Sequence, residues 1–150
     1  MDAAELYEAL TEAKQQALEI NVKANLEYFG DKDLLFQTVS NLIDNAIKYT
    51  PDGGAIKISL DCPSKTITLC VADSGIGIPE EERNHVFDRF YRVAKSRSIP
   101  GNGQGLSFVQ AVVELHHGRI NLGDNKPGLR IELVLPILAP HYTKQDTKLR

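Results

Sequence analysis

The segment KDLLFQTVSNLIDNAIKY, residues 32–49, carries two opposed faces at helical spacing, and a helix divided in that way has to lie between a core and something polar. Leu35, Phe36, Val39, Leu42, Ile43, Ala46 and Ile47 form the apolar side. Gln37, Asn41, Asn45 and Lys48 recur every three or four residues, so at about 3.6 residues per turn they share the other side. Asp31 is placed to cap the segment, and Pro51 with the Gly53-Gly54 pair stops it. Side-chain amides and an ammonium in one stripe suit a phosphate chain with its metal, because an amide oxygen ligates magnesium without adding charge and lysine pairs with phosphate. Taken alone, the stripe fits a solvated helix face equally well.

The other segments supply what the apolar face packs on. Leu6, Leu10, Ala13, Ala17 and Leu18 predict an amphipathic helix over residues 3 to about 19, and the partial alternation of Ile20, Val22, Ala24, Leu26 and Tyr28 predicts a short strand ending at Gly30. Two β-rich runs, 55–60 and 66–72, flank the turn Asp61-Cys62-Pro63-Ser64, and two more, 119–122 and 129–135, make a closing hairpin. Between the hairpins come an irregular charged stretch over 80–100 and a helix over 104–117 that ends at Gly118. Helices and hairpins without regular βαβ alternation define an α+β two-layer sandwich, with a mixed, mostly antiparallel sheet covered by helices on one face. The expected organisation is one domain over 1–136 and a solvated tail over 137–150.

Composition removes several function classes. Seventeen Lys and Arg against 20 Asp and Glu give a net charge of -3, and no basic stretch interleaved with aromatics suggests a nucleic-acid groove. No apolar run approaches the roughly 18 to 20 residues that span a bilayer, so the piece reads as soluble and cytosolic, without membrane contact. Cys62 and Cys70 are too few for a disulfide scaffold and are not spaced as a CxxC pair; they read as small apolar strand residues.

Two glycine loops add chemistry. Asp73-Ser74-Gly75-Ile76-Gly77-Ile78-Pro79 follows a strand, and a carboxylate at the strand end can accept a hydrogen bond from an exocyclic amine such as that of adenine. An ordinary tight turn is the competing reading. Gly101-Asn102-Gly103-Gln104-Gly105 opens a helix, where backbone N–H groups can receive phosphate, or serves as a flexible linker. It is not the dinucleotide fingerprint, since Leu106 stands where the last glycine belongs.

In order along the chain, NLIDNAIKYTPDGG, DSGIGIP, VFDRFYR and GNGQGLSFVQAVVELHHG resemble the asparagine box, first glycine box, phenylalanine box and second glycine box of histidine-kinase catalytic domains. The likeness runs from the Gly30-Asp31 turn to Pro136 and implies the Bergerat-type ATP-binding sandwich. It implies that Asn45 is the magnesium ligand, Asn41 a phosphate or metal-shell contact, Lys48 a phosphate contact, and Tyr49 a neighbour of the adenine. By the same resemblance Asp73 selects adenine, with Gly75, Gly77 and Ile78 shaping its pocket. Phe87 and Phe90 would face partner helices, Arg92 would begin a lid, and Gly101, Gly103, Gln104 and Gly105 would close over the phosphates with Leu106 as an apolar wall. Pro100 and Gln104 depart from the usual glycine and leucine.

The resemblance further implies Mg-ATP as cofactor and donation of the γ-phosphoryl group to a histidine on a separate dimerisation and phosphoacceptor helical domain, with a response regulator downstream. None of His85, His116, His117 and His141 is followed by an acidic residue, so the acceptor is expected elsewhere in a larger sensor kinase, whether or not that parent is membrane-anchored. The isolated domain is expected to be monomeric. Related gyrase, chaperone and mismatch-repair hydrolases carry a general-base glutamate where this chain has Asn41, and an amide cannot take a proton from water at neutral pH. An ATP-binding regulatory module and an anti-sigma-type serine kinase are the remaining alternatives.

Overall fold

A computed structural model describes residues 3–23, 28–63, 65–83, 85–88, 105–137 and 147–149. Helices α1 (Ala3–Ala13), α2 (Lys32–Tyr49) and α3 (Gly105–Leu115) accompany strands β1 (Ala17–Val22), β2 (Tyr28–Gly30), β3 (Ala55–Asp61), β4 (Thr66–Asp73), β5 (Arg119–Asp124), β6 (Leu129–Pro136) and β7 (Thr147–Leu149). Five strands form one sheet in the order β1-β3-β4-β6-β5, parallel between β1 and β3 and antiparallel elsewhere. The expected α+β sandwich is therefore present, with both predicted hairpins in place.

Strand periodicity decides which side of the sheet is covered. Ile58 pairs with Val71, Val71 with Ile131, and Leu122 with Ile131, so one face is continuously apolar across four strands. Against it lie α2, through Leu35, Leu42, Ile43, Ala46 and Ile47, and α3, through Val109, Val112 and Val113. The opposite face presents Lys57, Ser59, Thr68, Arg130 and Glu132 and carries the Arg130–Glu132 ion pair at 3.0 Å. Helix α2 begins as its sequence predicts: Asp31 is extended at φ -77, ψ 107, and its carboxylate accepts from the Leu34 amide at 3.0 Å. It stops at Thr50, which precedes Pro51 and is held in the β region at φ -94, ψ 126.

Four expectations need correction. The first helix ends at Ala13, not near residue 19, because Gln15 turns left-handed at φ 54 and the Gln16 amide closes back onto the Thr11 carbonyl at 2.8 Å. Ala17 and Leu18 then pair with Ala55 and Ile56 as part of a strand. Phe36, expected in the core, is 60% exposed, and Thr38 is buried in its place. At the end of α3, His117 takes the left-handed conformation at φ 61; Gly118 is needed for a different reason, since a Cβ there would overlap the Leu135 side chain and come against the Val134 carbonyl. Finally, Thr147–Leu149 of the expected tail pairs antiparallel with Tyr28–Gly30, satisfying backbone groups that would otherwise form an open edge. Cys62 and Cys70 are partly buried, as expected of small apolar residues.

Leu42 is 1% exposed at the centre of the α2 contact. Leu42→Ala should lower the unfolding free energy by about 2 to 5 kcal/mol, read from urea denaturation as a reduced midpoint at unchanged slope.

Candidate functional site

Strand β4 ends on Asp73, whose side chain falls on the covered face of the sheet by strict alternation with Ile67, Leu69 and Val71. The residue is 7% exposed, yet its Oδ1 accepts two backbone hydrogen bonds, from Gly75 at 2.9 Å and Leu129 at 3.2 Å. Its Oδ2 takes no hydrogen bond from any described residue and remains available to an outside donor. Burial pushes the carboxyl above its ordinary value, and the two amides, Gly75 and then Leu129, oppose that push.

The loop between β5 and β6 completes this socket. Gly128 adopts φ +111 and lies so close that a Cβ would overlap the Asp73 carbonyl, a place only glycine can occupy. Asn125 donates to that same carbonyl at 2.7 Å. Gly77, also left-handed at φ +69, packs on the Gly128 carbonyl, so the first glycine loop and the β5–β6 loop brace each other. Arg83 ties the following segment down through Asp124 at 2.5 Å and the Ile78 carbonyl at 3.3 Å. Ile78 itself is buried.

The last turns of α2 meet both glycine elements. The Tyr49 carbonyl accepts from the Ile76 amide at 3.3 Å, and Gly75 packs on that carbonyl without room for a Cβ. One turn earlier, the half-buried Asn45 side chain faces the first residue of α3: a Cβ on Gly105 would stand 3.4 Å from Asn45 Nδ2 and 3.8 Å from Oδ1. Neither Asn41 nor Asn45 engages its amide with a described residue. Lys48 is exposed, with its ammonium 5.8 Å from the centroid of the Tyr49 ring. Asp44, one turn before Lys48, is pushed upward by partial burial, with Lys48 opposing. Leu106 packs against the edge of the core.

Asn45, Tyr49, Asp73, Gly75, Gly77, Ile78 and Gly105 are thus gathered around the end of α2, with Asn41, Lys48 and Leu106 flanking them. Phe87 packs on the core. Phe90, Arg92, Gly101, Gly103 and Gln104 lie outside the described residues. Asn125, Gly128 and Leu129 are additions that sequence reasoning missed; the only local signal was the turn composition Asp124-Asn125-Lys126-Pro127-Gly128. Of the histidines, His116 is buried, accepting from the Asp31 amide at Nε2 (3.1 Å) with Nδ1 2.8 Å from the Val112 carbonyl. His85 is exposed beside Asp88, at 3.5 Å. His141 lies outside the described residues.

The covered face of the two-layer sandwich thus ends in a half-satisfied buried carboxylate, with the asparagine stripe of α2 and the glycine-started helix α3 beside it. The family model for histidine kinase-, DNA gyrase B- and HSP90-like ATPases matches residues 30–139, and the chain belongs to that family. Over 116 residues it is 41% identical to the signal transduction histidine-protein kinase/phosphatase MprB of Mycolicibacterium smegmatis, covering 73% of this chain and 24% of the relative. Over 148 residues it is 35% identical to the sensor protein kinase PmrB of Pseudomonas aeruginosa, covering 94% of this chain and 31% of that protein. The chain thus spans about a quarter to a third of the length of these curated relatives. Among solved structures, a mycobacterial sensor histidine kinase MprB superposes with a TM-score of 0.76 at 34% identity, covering 91% of this chain and 96% of that one. The nucleotide-free catalytic domain of histidine kinase ThkA gives 0.80 at 25% identity, covering 89% and 88%.

The raised Asp73 carboxyl has a consequence for stability. The folded state holds this proton more tightly than the unfolded state, so the contribution is fully favourable below the ordinary value of 3.8 and is lost as pH rises through the folded value. Asp73→Asn keeps an acceptor for both amides and cannot ionise. In the absence of ligand this variant should be at least as stable as the parent chain at pH 7, with an advantage that shrinks towards acid, as measured by urea denaturation across that range.

Proposed function

We propose that this domain binds Mg-ATP and donates the γ-phosphoryl group to a histidine on a separate dimerisation and phosphoacceptor helical domain of the same kinase, within two-component signalling. The observation that carries the reading is the pairing of two unengaged groups around the end of α2: Asp73 Oδ2 at the sheet end and the Asn45 amide beside Gly105. They suit the two ends of ATP. Asp73 Oδ2 accepts from the adenine amine, in a pocket shaped by Gly75, Gly77 and Ile78 with Tyr49 alongside. Asn45 Oδ1, a neutral hard oxygen, fits magnesium, which keeps few protein ligands and completes its shell with phosphate and water.

The start of α3 presents backbone N–H groups at a helix N-terminus, suited to the phosphate chain, with Asn41 and Lys48 as further phosphate contacts and Gly101, Gly103, Gln104 and Arg92 as the covering segment. Bound magnesium would supply charge neutralisation on the phosphates; the chain's own residues orient the nucleotide, which is most of what phosphoryl transfer asks of a protein. Asn41 offers no general base, which favours a donor over a hydrolase. The acceptor belongs to another segment, since His116 has both ring nitrogens engaged and none of the four histidines is followed by an acidic residue.

A response regulator is the expected recipient downstream; the histidine kinase ThkA, which shares this fold at 24% identity, has been crystallised in complex with the response regulator protein TrrA. Among the described residues no helix is long and apolar enough to cross a membrane, and a cytoplasmic placement of this domain within a larger sensor fits the reading.

Calorimetric titration with a non-hydrolysable ATP analogue should show one-site binding that strengthens with magnesium. Asn45→Ala should remove the magnesium dependence while preserving the fold; unchanged affinity with magnesium present would sink the metal assignment. Asp73→Asn should weaken an adenine nucleotide by roughly 1 to 3 kcal/mol, the cost of one mismatched buried hydrogen bond, and affect an inosine nucleotide, which lacks the amine, much less. Addition of a helical acceptor domain should then yield acid-labile phosphohistidine.

A further inference from the structure

Helix α2 ends on carbonyl groups that its own backbone cannot satisfy. Two of them, from Ile47 and Thr50, are each held twice. Lys14 Nζ donates to Ile47 at 2.6 Å and to Thr50 at 2.9 Å, and Gln16 Nε2 donates to the same two at 3.0 and 2.8 Å. These donors come from the turn between α1 and β1, more than thirty residues away in sequence. Gln16 is 7% exposed and its Oε1 has no hydrogen-bond partner, so the structure tolerates an orphaned amide oxygen in order to present the N–H groups. The opposite amide orientation would set Oε1 against two carbonyl oxygens. The Lys14 charge also lies at the negative end of the α2 dipole.

The backbone of this turn grips the same segment. Gly53 donates to the Lys14 carbonyl at 3.1 Å and Ala17 to the Gly54 carbonyl at 2.9 Å. Between the two donor side chains Gln15 is held left-handed at φ 54, a conformation unfavourable for a residue with a Cβ, so the turn is fixed by what it contacts. On the far side of the gripped segment stands the site: the Tyr49 carbonyl receives the Ile76 amide, Gly75 packs on that carbonyl, and Ser74 and Ala55 exchange hydrogen bonds, at 3.0 Å between backbones and 2.8 Å through Ser74 Oγ.

We propose that Lys14 and Gln16 are positioning residues for the nucleotide site, setting the last turn of α2 and, through the Tyr49 carbonyl, the loop that follows Asp73 at the end of β4. They lie in the α1–β1 turn, and their side chains act through the Ile47 carbonyl of α2 and the Thr50 carbonyl just past its end. The proposal deepens the nucleotide-binding reading and rests on it for its affinity arm alone.

The test uses Lys14→Met, which keeps the aliphatic stem and removes the donor, with Gln16→Leu and the conservative Lys14→Arg, all in the full chain at a temperature where each variant is entirely folded. A residue that only stabilises the fold leaves affinity unchanged under that condition, because the folded fraction is already complete. We expect Lys14→Met and Gln16→Leu each to weaken binding of the ATP analogue by roughly tenfold, the equivalent of one lost hydrogen bond, and Lys14→Arg to restore most of the loss. Amide hydrogen exchange without nucleotide should show faster exchange at Gly75 and Ile76 while Val71 in the middle of β4 keeps its protection. Unchanged affinity together with uniform loss of protection would overturn the proposal. If the parent chain itself binds no nucleotide, the functional reading fails and the exchange pattern still decides the positioning claim. If Lys14→Met does not fold, Lys14→Gln, which retains a donor, is judged by the same two readouts.

Discussion

The burial of one side of α2 against the sheet is the contact from which the other features follow. Leu35, Leu42, Ile43, Ala46 and Ile47 are taken up by the core, which leaves Asn41, Asn45 and Lys48 no destination but the rim where the sheet ends. The same docking brings the Tyr49 carbonyl onto the loop after β4 and sets Asn45 against the first residue of α3. A helix rotated by one residue would carry the amides into the core and leave the buried carboxylate with nothing opposite. The position of the site is therefore a packing result before it is a chemical one.

Asp73 shows the tension between folding and binding. Its backbone partners satisfy one oxygen, and burial penalises the charge that remains. Natural sequences retain such groups where function needs them, and a group that destabilises the empty fold while offering one free acceptor is poised for a donor supplied from outside. The glycines beside it serve geometry: Gly75 and Gly128 let two carbonyls approach more closely than any side chain would permit.

Much of this was legible in the sequence. Residues 32–49 have an N-cap, an amphipathic period and a proline stop, and α2 forms over that span. The hairpins were marked by β-rich runs around turn residues, and both are present with the expected pairing. What failed was of two kinds. Some signals are ambiguous locally: Ala17 and Leu18 continue a helical period, and only the ladder with β3 makes them strand, while the left-handed Gln15 carries none of the glycine that usually marks a helix end. Phe36 is apolar yet lies outside the buried arc that Thr38 enters. Other features are long-range. No local spacing rule selects Asn125, Gly128 and Leu129 as partners of Asp73, since they arrive from over fifty residues away through the β4–β6 pairing.

That pairing has a kinetic meaning. The β3–β4 and β5–β6 hairpins are local, whereas β4 meets β6 only by closing a large loop, the kind of contact whose entropy cost slows folding. The Asp73 socket takes one wall from each side of that closure. A chain with both hairpins formed but not yet joined would possess every functional residue and no site, so occupancy of the Asp73 socket acts as a sensor of completed assembly, and any ligand that fills it draws the population towards the fully closed sheet.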